Sequence, residues 1–370
     1  MSRAARLCLA FALIGLTSCA QRPENVFIAE GPNTVSGASQ VEMLVATTRR
    51  PSSVPGEMFG GERGDPAFAD ISISIPPDKA RKVGEVEWPK SIPADPKREF
   101  STIRATLLKR DAVIADFHER LGRGPSRKVL VFVHGYNSRF DDAVFRFAQI
   151  VHDSGAKDVP VLFTWPSRGK LLAYAYDRES ANYSRDGLEA TLNYLVQDSA
   201  VSEVSILAHS MGNWVTLEAL RQMGIRKGGI SPKIKNVMLA SPDVDVDVFR
   251  TQLDSMGPRR PRLTLFVSND DKALKASRWL WGSTARLGTI DPTVEPYKHF
   301  LETEKIDVVD LSHVKTSDRL NHGKFAESPE VIQLIGRQLA TGQPITDQQL
   351  SVADRIVGGV DARLSGTVEP

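Results

Sequence analysis

The sequence predicts an α/β fold, a mostly parallel β-sheet with helices on both faces, and three observations carry that expectation. Nearly continuous apolar runs recur at residues 128–133, 160–165, 236–240 and 263–267, and such runs suit strands covered on both faces. Segments with apolar residues at helical spacing fall between them on short connections, the pattern of crossover helices joining parallel strands. The run Val204-Ser205-Ile206-Leu207-Ala208-His209 passes straight into Ser210-Met211-Gly212-Asn213-Trp214 and a helical pattern, so the chain turns sharply from strand to helix at a serine.

Taken in order, Arg3 and Arg6 precede an apolar run from Leu7 to Leu16, too short to span a bilayer comfortably. Residues 1–18 therefore read as a secretory signal. Leu16-Thr17-Ser18-Cys19 resembles a bacterial lipobox, which puts cleavage before Cys19 and a lipid on its sulfur; an ordinary signal peptide cut nearby is the alternative. Ala20, not an aspartate, resembles outer-membrane sorting. The expected location is the bacterial cell envelope, as a membrane-anchored lipoprotein or as a secreted or periplasmic protein. The two cysteines, Cys8 and Cys19, both lie in this segment, so the mature chain has no internal disulfide on this reading.

Residues 19–40 are polar and small and read as a tether. A first strand follows at 43–46, then a Pro-, Gly- and charge-rich loop over 49–69. Residues 71–75 alternate with period two, as a half-exposed strand does, and 84–125 read as irregular with one short helix at 111–121. Next come the strand at 128–133, a helix at 141–151 with Val144, Phe147, Ala148 and Val151 at helical spacing, and a strand at 160–165 stopped by Pro166. A helix at 180–198 presents Leu188, Leu192 and Leu195. The strand ending at His209 and a helix to about Met223 follow, then strands at 236–240 and 263–267, a more polar edge strand at 306–311, and a closing helix at 329–339 opened by Pro329. One domain over 41–341 accounts for the pattern, with a polar tail at 342–370. The 370 residues are 41% hydrophobic and 25% charged with net charge +2, an ordinary globular balance that makes no case for nucleic acid or an acidic polymer as partner.

Small-x-Ser-x-Gly between strand and helix is the layout of a nucleophile elbow. The turn brings backbones together, so the residues two before and two after the serine must be small, as Ala208 and Gly212 are. Ser210 at a helix N-terminus is placed where negative charge is favoured, and it attacks an acyl carbon once a base takes its proton. The base needs an orienting carboxylate, and in this arrangement the acid precedes the histidine along the chain. Asp271, in the turn after the 263–267 strand, is the first choice of acid; Asp270 and Asp243 are its rivals. Of seven histidines, His313 and His322 lie in loops after the last strand, and His322 leads because its loop carries the ring back over the sheet. His209 points away from Ser210 and His134 reads as structural. The oxyanion donors expected are the N–H of Met211 and that of Tyr136 or Asn137. Asp243, Asp245 and Asp247 alternate like the start of a calcium loop, but Val248 stands where that turn needs glycine and no glutamate closes it, so no metal is expected. Trp279, Leu280 and Trp281 read either as acyl-pocket lining or as an aromatic helix on the core.

With those residues in view, the chain resembles the α/β-hydrolase superfamily, and most of all a bacterial esterase/lipase-like branch of unknown function. The resemblance rests on Phe132-Val133-His134-Gly135-Tyr136-Asn137, Phe163-Thr164-Trp165-Pro166-Ser167, Ala208-His209-Ser210-Met211-Gly212, Ala240-Ser241-Pro242-Asp243, Asp270-Asp271-Lys272-Ala273-Leu274 and Asn321-His322, over roughly residues 41 to 341. It implies an α/β-hydrolase fold, hydrolysis of a small-molecule or lipid acyl ester through Ser210, His322 and Asp271, and no cofactor. Thioesterase, amidase or peptidase chemistry on the same scaffold, and a non-catalytic envelope lipoprotein, are the alternatives.

Overall fold

The computed structural model describes residues 24–29, 31, 35–280 and 284–343. The signal-like segment, Cys19, Trp281, most of the tail and part of the tether lie outside them. The strands are β1 Ser39–Pro51, β2 Phe59–Ile75, β3 Ser101–Leu108, β4 Lys128–Val133, β5 Val159–Thr164, β6 Glu203–His209, β7 Ile234–Ala240, β8 Arg262–Val267 and β9 Asp307–Asp310. They form one nine-stranded sheet in the order β3-β2-β1-β5-β4-β6-β7-β8-β9. From β1 to β9 every neighbouring pair is parallel, whereas β2 pairs antiparallel with both β1 and β3. The helices are α1 Arg110–Arg123, α2 Phe140–Ser154, α3 Tyr174–Gln197, α4 Gly212–Lys227, α5 Val246–Met256, α6 Lys272–Leu280, α7 Tyr297–Thr303, α8 Lys324–Glu327 and α9 Pro329–Thr341.

Strand side chains alternate between two faces, and each face here carries its own core. Val129, Val131 and Val133 of β4, Ile206 and Ala208 of β6, and Leu263 and Leu265 of β8 meet Leu188, Leu192, Leu217, Leu220, Phe249 and Leu253 from α3, α4 and α5. Leu130 and Phe132, Leu207, Met238 and Phe266 face the other way, onto Val144, Phe147 and Ala148 of α2 and Leu334 and Ile335 of α9. This double covering is why the central strands read as unbroken apolar runs. The parallel strands deliver their C-terminal ends, and the loops that follow, to one rim, where ligands of open α/β sheets bind.

Three expectations about the N-terminal third need correction. Residues 49–69 are not a loop: β1 and β2 form a long hairpin. Its register jumps from Thr47 opposite Ala67 to Arg49 opposite Arg63, so Gly64, Asp65 and Pro66 sit in a bulge where no ladder bond is required. Gly61 is demanded there by close approach, since a Cβ would stand 2.9 Å from Arg168 Cα. Residues 71–75 are buried on both faces, with Ser72 and Ser74 only 0% and 2% exposed; Gln40 donates to Ser72 Oγ at 2.7 Å, satisfying the hydroxyl inside. The stretch expected to be irregular contains β3, a polar edge strand whose Arg104 pairs with Asp70 on β2 at 2.5 Å.

The Asp243–Asp247 stretch opens α5. Asp245 caps that helix, accepting from the N–H groups of Asp247 and Val248 at 2.9 and 3.2 Å. Trp279 on α6 is 79% exposed, so it neither packs on the core nor encloses a pocket.

The closing helix α9 lies so tightly on the end of α2 that a Cβ at Gly336 would fall 2.0 Å from Ser154 O. Helix propensity alone favours Gly336→Ala by about 1 kcal/mol, but the contact is with backbone and cannot yield cheaply. The net effect expected is destabilisation by about 2–3 kcal/mol, read as a lowered urea midpoint with unchanged m-value.

Candidate active site

At the end of β6 the chain reverses through Ser210, whose φ of +52° is left-handed for a residue that carries a Cβ. Backbone bonds hold that conformation. Ser210 N–H donates to Ala240 O at 2.9 Å, and Ser210 O accepts from Asn213 N–H at 3.1 Å and from Asn213 Nδ2 at 2.9 Å. Gly212 shows why the motif needs a small residue two places on: a Cβ would lie 2.3 Å from His134 O and 2.6 Å from Val133 O. On the neighbouring strand end, a Cβ at Gly135 would stand 2.8 Å from Ser210 Cβ. The loop after β4 is therefore pressed against the elbow.

That loop carries the expected oxyanion donors. Asn137 N–H is directed to Asp177 Oδ2 at 3.4 Å, which occupies it. The N–H groups of Tyr136 and Met211 have no acceptor among the described residues. The loop is set by two charged groups that the sequence reading passed over. The first is Arg49, buried at the end of β1, which donates to Gly60 O at 3.0 Å, Ser167 O at 2.9 Å and Ser138 O at 2.8 Å. Burial pushes its guanidinium down to about 10. The second is Asp177 in the first turn of α3, which accepts from Ser167 Oγ at 2.5 Å and Arg168 N–H at 2.9 Å as well as Asn137. Beside the Arg49 guanidinium, at 3.4 Å, lies His134. Its Nε2 accepts from Trp165 N–H at 3.1 Å, so Nδ1 carries the proton and donates to Gly135 O at 2.8 Å. Burial, with the Arg49 charge nearby, lowers His134 to about 3, and it stays neutral and structural.

The histidine loop precedes α8. Asp318 organises it by accepting from the N–H groups of Leu320, His322 and Gly323 at 2.8, 2.6 and 2.8 Å. His322 Nδ1 meets Asp271 Oδ2 at 2.7 Å, and Asp271 Oδ1 accepts from Leu274 N–H at 2.9 Å at the start of α6. His322 O accepts from His209 Nε2 and from Ser241 Oγ, each at 3.2 Å, and the His209 and His322 rings lie 4.7 Å apart. His209 thus braces the base loop from the residue preceding Ser210. Its buried ring is held well below the usual range, by desolvation and then by the charge of His322. Ser210 Oγ has no hydrogen bond among the described residues, so the hydroxyl–imidazole bond is open here; such bonds commonly tighten only with substrate in place.

The three carboxylates weighed from sequence have separate partners. Asp271 holds His322. Asp270 is bonded to Lys324 Nζ at 2.7 Å and to Asn321 Nδ2 at 2.9 Å. Asp243 accepts from Tyr174 OH at 2.6 Å and Ser277 Oγ at 2.7 Å and lies 3.4 Å from Arg286. His313 is exposed in a turn after β9, and no bond joins its ring to this network among the described residues. For His322, burial works against the imidazolium, yet the Asp271 carboxylate and its hydrogen bond outweigh it and raise the ring above the ordinary 6.5.

An elbow serine, a carboxylate-oriented histidine on the same rim and two free N–H groups beside the serine can together deprotonate a hydroxyl and hold an oxyanion. The family model described as an alpha/beta hydrolase of unknown function (DUF900) matches residues 109–338, more than half of the chain. The chain belongs to that family. Within the match fall the elbow, the oxyanion loop, Asp271 and His322; Arg49 lies before it. An uncharacterised protein of Nostoc, alr1448, is 24% identical over 148 residues, 33% of this chain and 38% of that protein, so the chain spans well under half the length of this relative. Among solved structures, a lipase-esterase related protein from Clostridium acetobutylicum is 10% identical with TM-score 0.31, covering 58% of this chain and 94% of that one. An esterase from Pyrococcus furiosus is 14% identical with TM-score 0.35, covering 58% and 83%. Likenesses this distant carry no functional weight.

Of the residues missed from sequence, Asp318 had a legible signal, an aspartate two residues before the first N–H it bonds. Arg49 and Asp177 had none, because their partners are distant carbonyls and amides. Asp177→Ala removes the acceptor for Asn137 N–H in the oxyanion loop and for Ser167 Oγ and Arg168 N–H in the loop beside it. The expected result is a ten- to hundred-fold slower covalent labelling of Ser210 by a fluorophosphonate, with the His322–Asp271 imidazole N–H resonance in NMR unchanged.

Proposed function

We propose that this hydrolase-family protein is a serine hydrolase cleaving carboxylic esters through Ser210, His322 and Asp271. The observation that carries the reading is the 2.7 Å His322–Asp271 bond on the same rim as an elbow serine held at positive φ. In the proposed cycle, His322 Nε2 takes the Ser210 proton as Oγ bonds to the acyl carbon. The oxyanion rests on the N–H groups of Met211 and Tyr136. The imidazolium returns the proton to the departing alkoxide, leaving an acyl-enzyme. A water then gives a proton to His322 and its oxygen to the acyl carbon, and as the acyl–Oγ bond breaks the imidazolium returns that proton to Oγ, freeing the acid and restoring Ser210.

The test is a fluorophosphonate on the full chain beside a chain-length series of p-nitrophenyl esters. Wild type should be labelled and hydrolyse esters, and Ser210→Ala should lose labelling and about 10⁴- to 10⁶-fold in kcat. A folded wild type that takes no label removes the catalytic reading in favour of a binding role. Thioester and anilide analogues in the same panel separate ester cleavage from the other acyl transfers.

The pH dependence has a definite sign. The base works unprotonated, and His322 is raised above 6.5, so kcat/KM should climb with pH along a limb centred above 6.5. Asp271→Asn removes the charge that raises the ring, so that limb should move to lower pH while the plateau drops by about 10⁴-fold.

We also infer, from Arg3, Arg6, the run to Leu16 and the Leu16–Cys19 motif, that the mature chain begins at a lipidated Cys19 in a bacterial envelope. A tether of this kind anchors a globular domain without burying it; among the described residues no helix is long and apolar enough to cross a membrane. Palmitate incorporation in cells that should vanish in Cys19→Ser checks this.

A further inference from the structure

A cavity of about 680 Å³ opens on the α1 and α3 side of the sheet, between those helices and strands β1, β2 and β5. Its wall is apolar, with Leu44, Phe68, Val113, Phe117 and Phe163 among the lining. Protein interiors ordinarily leave few voids larger than a water molecule, while volumes of roughly 300–1,000 Å³ are those of small-molecule sites. The cavity is separate from the elbow. Asp177, at the site end of α3, touches the oxyanion loop, whereas Ala190 and Tyr194 line the cavity; at 1.5 Å per residue, Asp177 and Ala190 are about 20 Å apart along the helix.

The charged members of the lining are Lys109 and Arg110, and no acidic residue lines it. Both side chains are exposed, which puts them at the mouth. Neither makes an ion pair or side-chain hydrogen bond among the described residues. Their neighbours differ: Arg104 and Arg120 bind Asp70 at 2.5 Å each, and Arg123 lies 3.6 Å from Glu119. Two cations without ion-pair partners among the described residues therefore stand over an apolar hollow, while Arg104, Arg120 and Arg123 nearby are paired.

We propose that this cavity is a binding site for a long-chain fatty acid, its hydrocarbon tail in the hollow and its carboxylate at Lys109 and Arg110. The tail removes apolar wall from water, and the guanidinium and ammonium supply charge-assisted bonds to the head. The site does not depend on the hydrolase reading, since none of its residues belongs to the Ser210 machinery.

The test uses the full chain and cis-parinarate, a naturally fluorescent long-chain fatty acid, with palmitate and 1-hexadecanol as competitors. Expected is saturable one-to-one binding that persists after Ser210 is blocked by a fluorophosphonate, with palmitate displacing the probe at concentrations at least ten-fold lower than hexadecanol. The double variant Lys109→Glu/Arg110→Glu, at exposed positions with no structural bonds, should weaken binding at least ten-fold. Ala190→Trp, filling the hollow from α3, should abolish it. Both should leave the rate of Ser210 labelling unchanged, and thermal melts check their folding; should Ala190→Trp not fold, the charge variant decides alone. Absence of saturable binding, loss of binding on blocking Ser210, equal competition by the alcohol, or indifference to the charge reversal would each overturn the proposal.

Discussion

Everything at the rim depends on one steric constraint, the absence of a side chain at Gly212. With no Cβ there, the elbow settles directly on the carbonyls of Val133 and His134. Strands β4 and β6 are thereby locked as neighbours at the level where both end, and Gly135 comes to rest against Ser210 Cβ. The oxyanion loop and the nucleophile are thus registered by backbone contact, not by flexible side chains. The left-handed conformation of Ser210 is the local cost of that registration, and the bonds to Ala240 and Asn213 keep it in place. Side chains more than a hundred residues apart can cooperate only if such a contact fixes their common origin.

Around that origin the structure distributes its charges in pairs with distinct duties. Arg49 and Asp177 both bind the backbone of the 134–138 loop and its neighbour Ser167, one by donating and one by accepting. The Asp318 carboxylate wraps the base loop by accepting the N–H groups of Leu320, His322 and Gly323, and His209 and Ser241 fix the His322 carbonyl. Most of these bonds end on main-chain atoms. A buried charge bonded to backbone is harder to displace than one bonded to a mobile side chain, because the backbone partner has no rotamers to lose. The geometry at Ser210 and His322 is therefore a property of three separate loops each stiffened in its own way.

What could be read from sequence divides along the same line. The central strands were legible because burial on both faces leaves an unbroken apolar run, and the elbow because its steric demand is met within five consecutive residues. The His322 loop and the acid turn were legible as positions in chain order. The β1–β2 hairpin was not: its outer half contains Gly60, Gly61, Gly64 and Pro66, and only the bulge opposite Thr47 to Arg49 makes those residues compatible with a ladder. Strand β3 was hidden for a related reason, since an edge strand that pairs Arg104 with Asp70 needs no apolar signature. Arg49 and Asp177 escaped because their partners come from distant loops, a relation that no local window contains. The alternation of Asp243 and Asp245 has local causes that only the structure displays, a Tyr174 hydroxyl on the first and a helix N-terminus capped by the second.

The buried ammonium of Lys324 has a consequence for the imidazole two residues before it. Its contacts with Asp270, Ser268 and the Leu311 carbonyl compensate one of two adjacent aspartates and leave the other to face His322. Without that ammonium, Asp270 would be left with an uncompensated charge one residue from the carboxylate that holds His322. A single lysine thereby sorts two neighbouring carboxylates, engaging Asp270 itself while Asp271 alone is bonded to the imidazole.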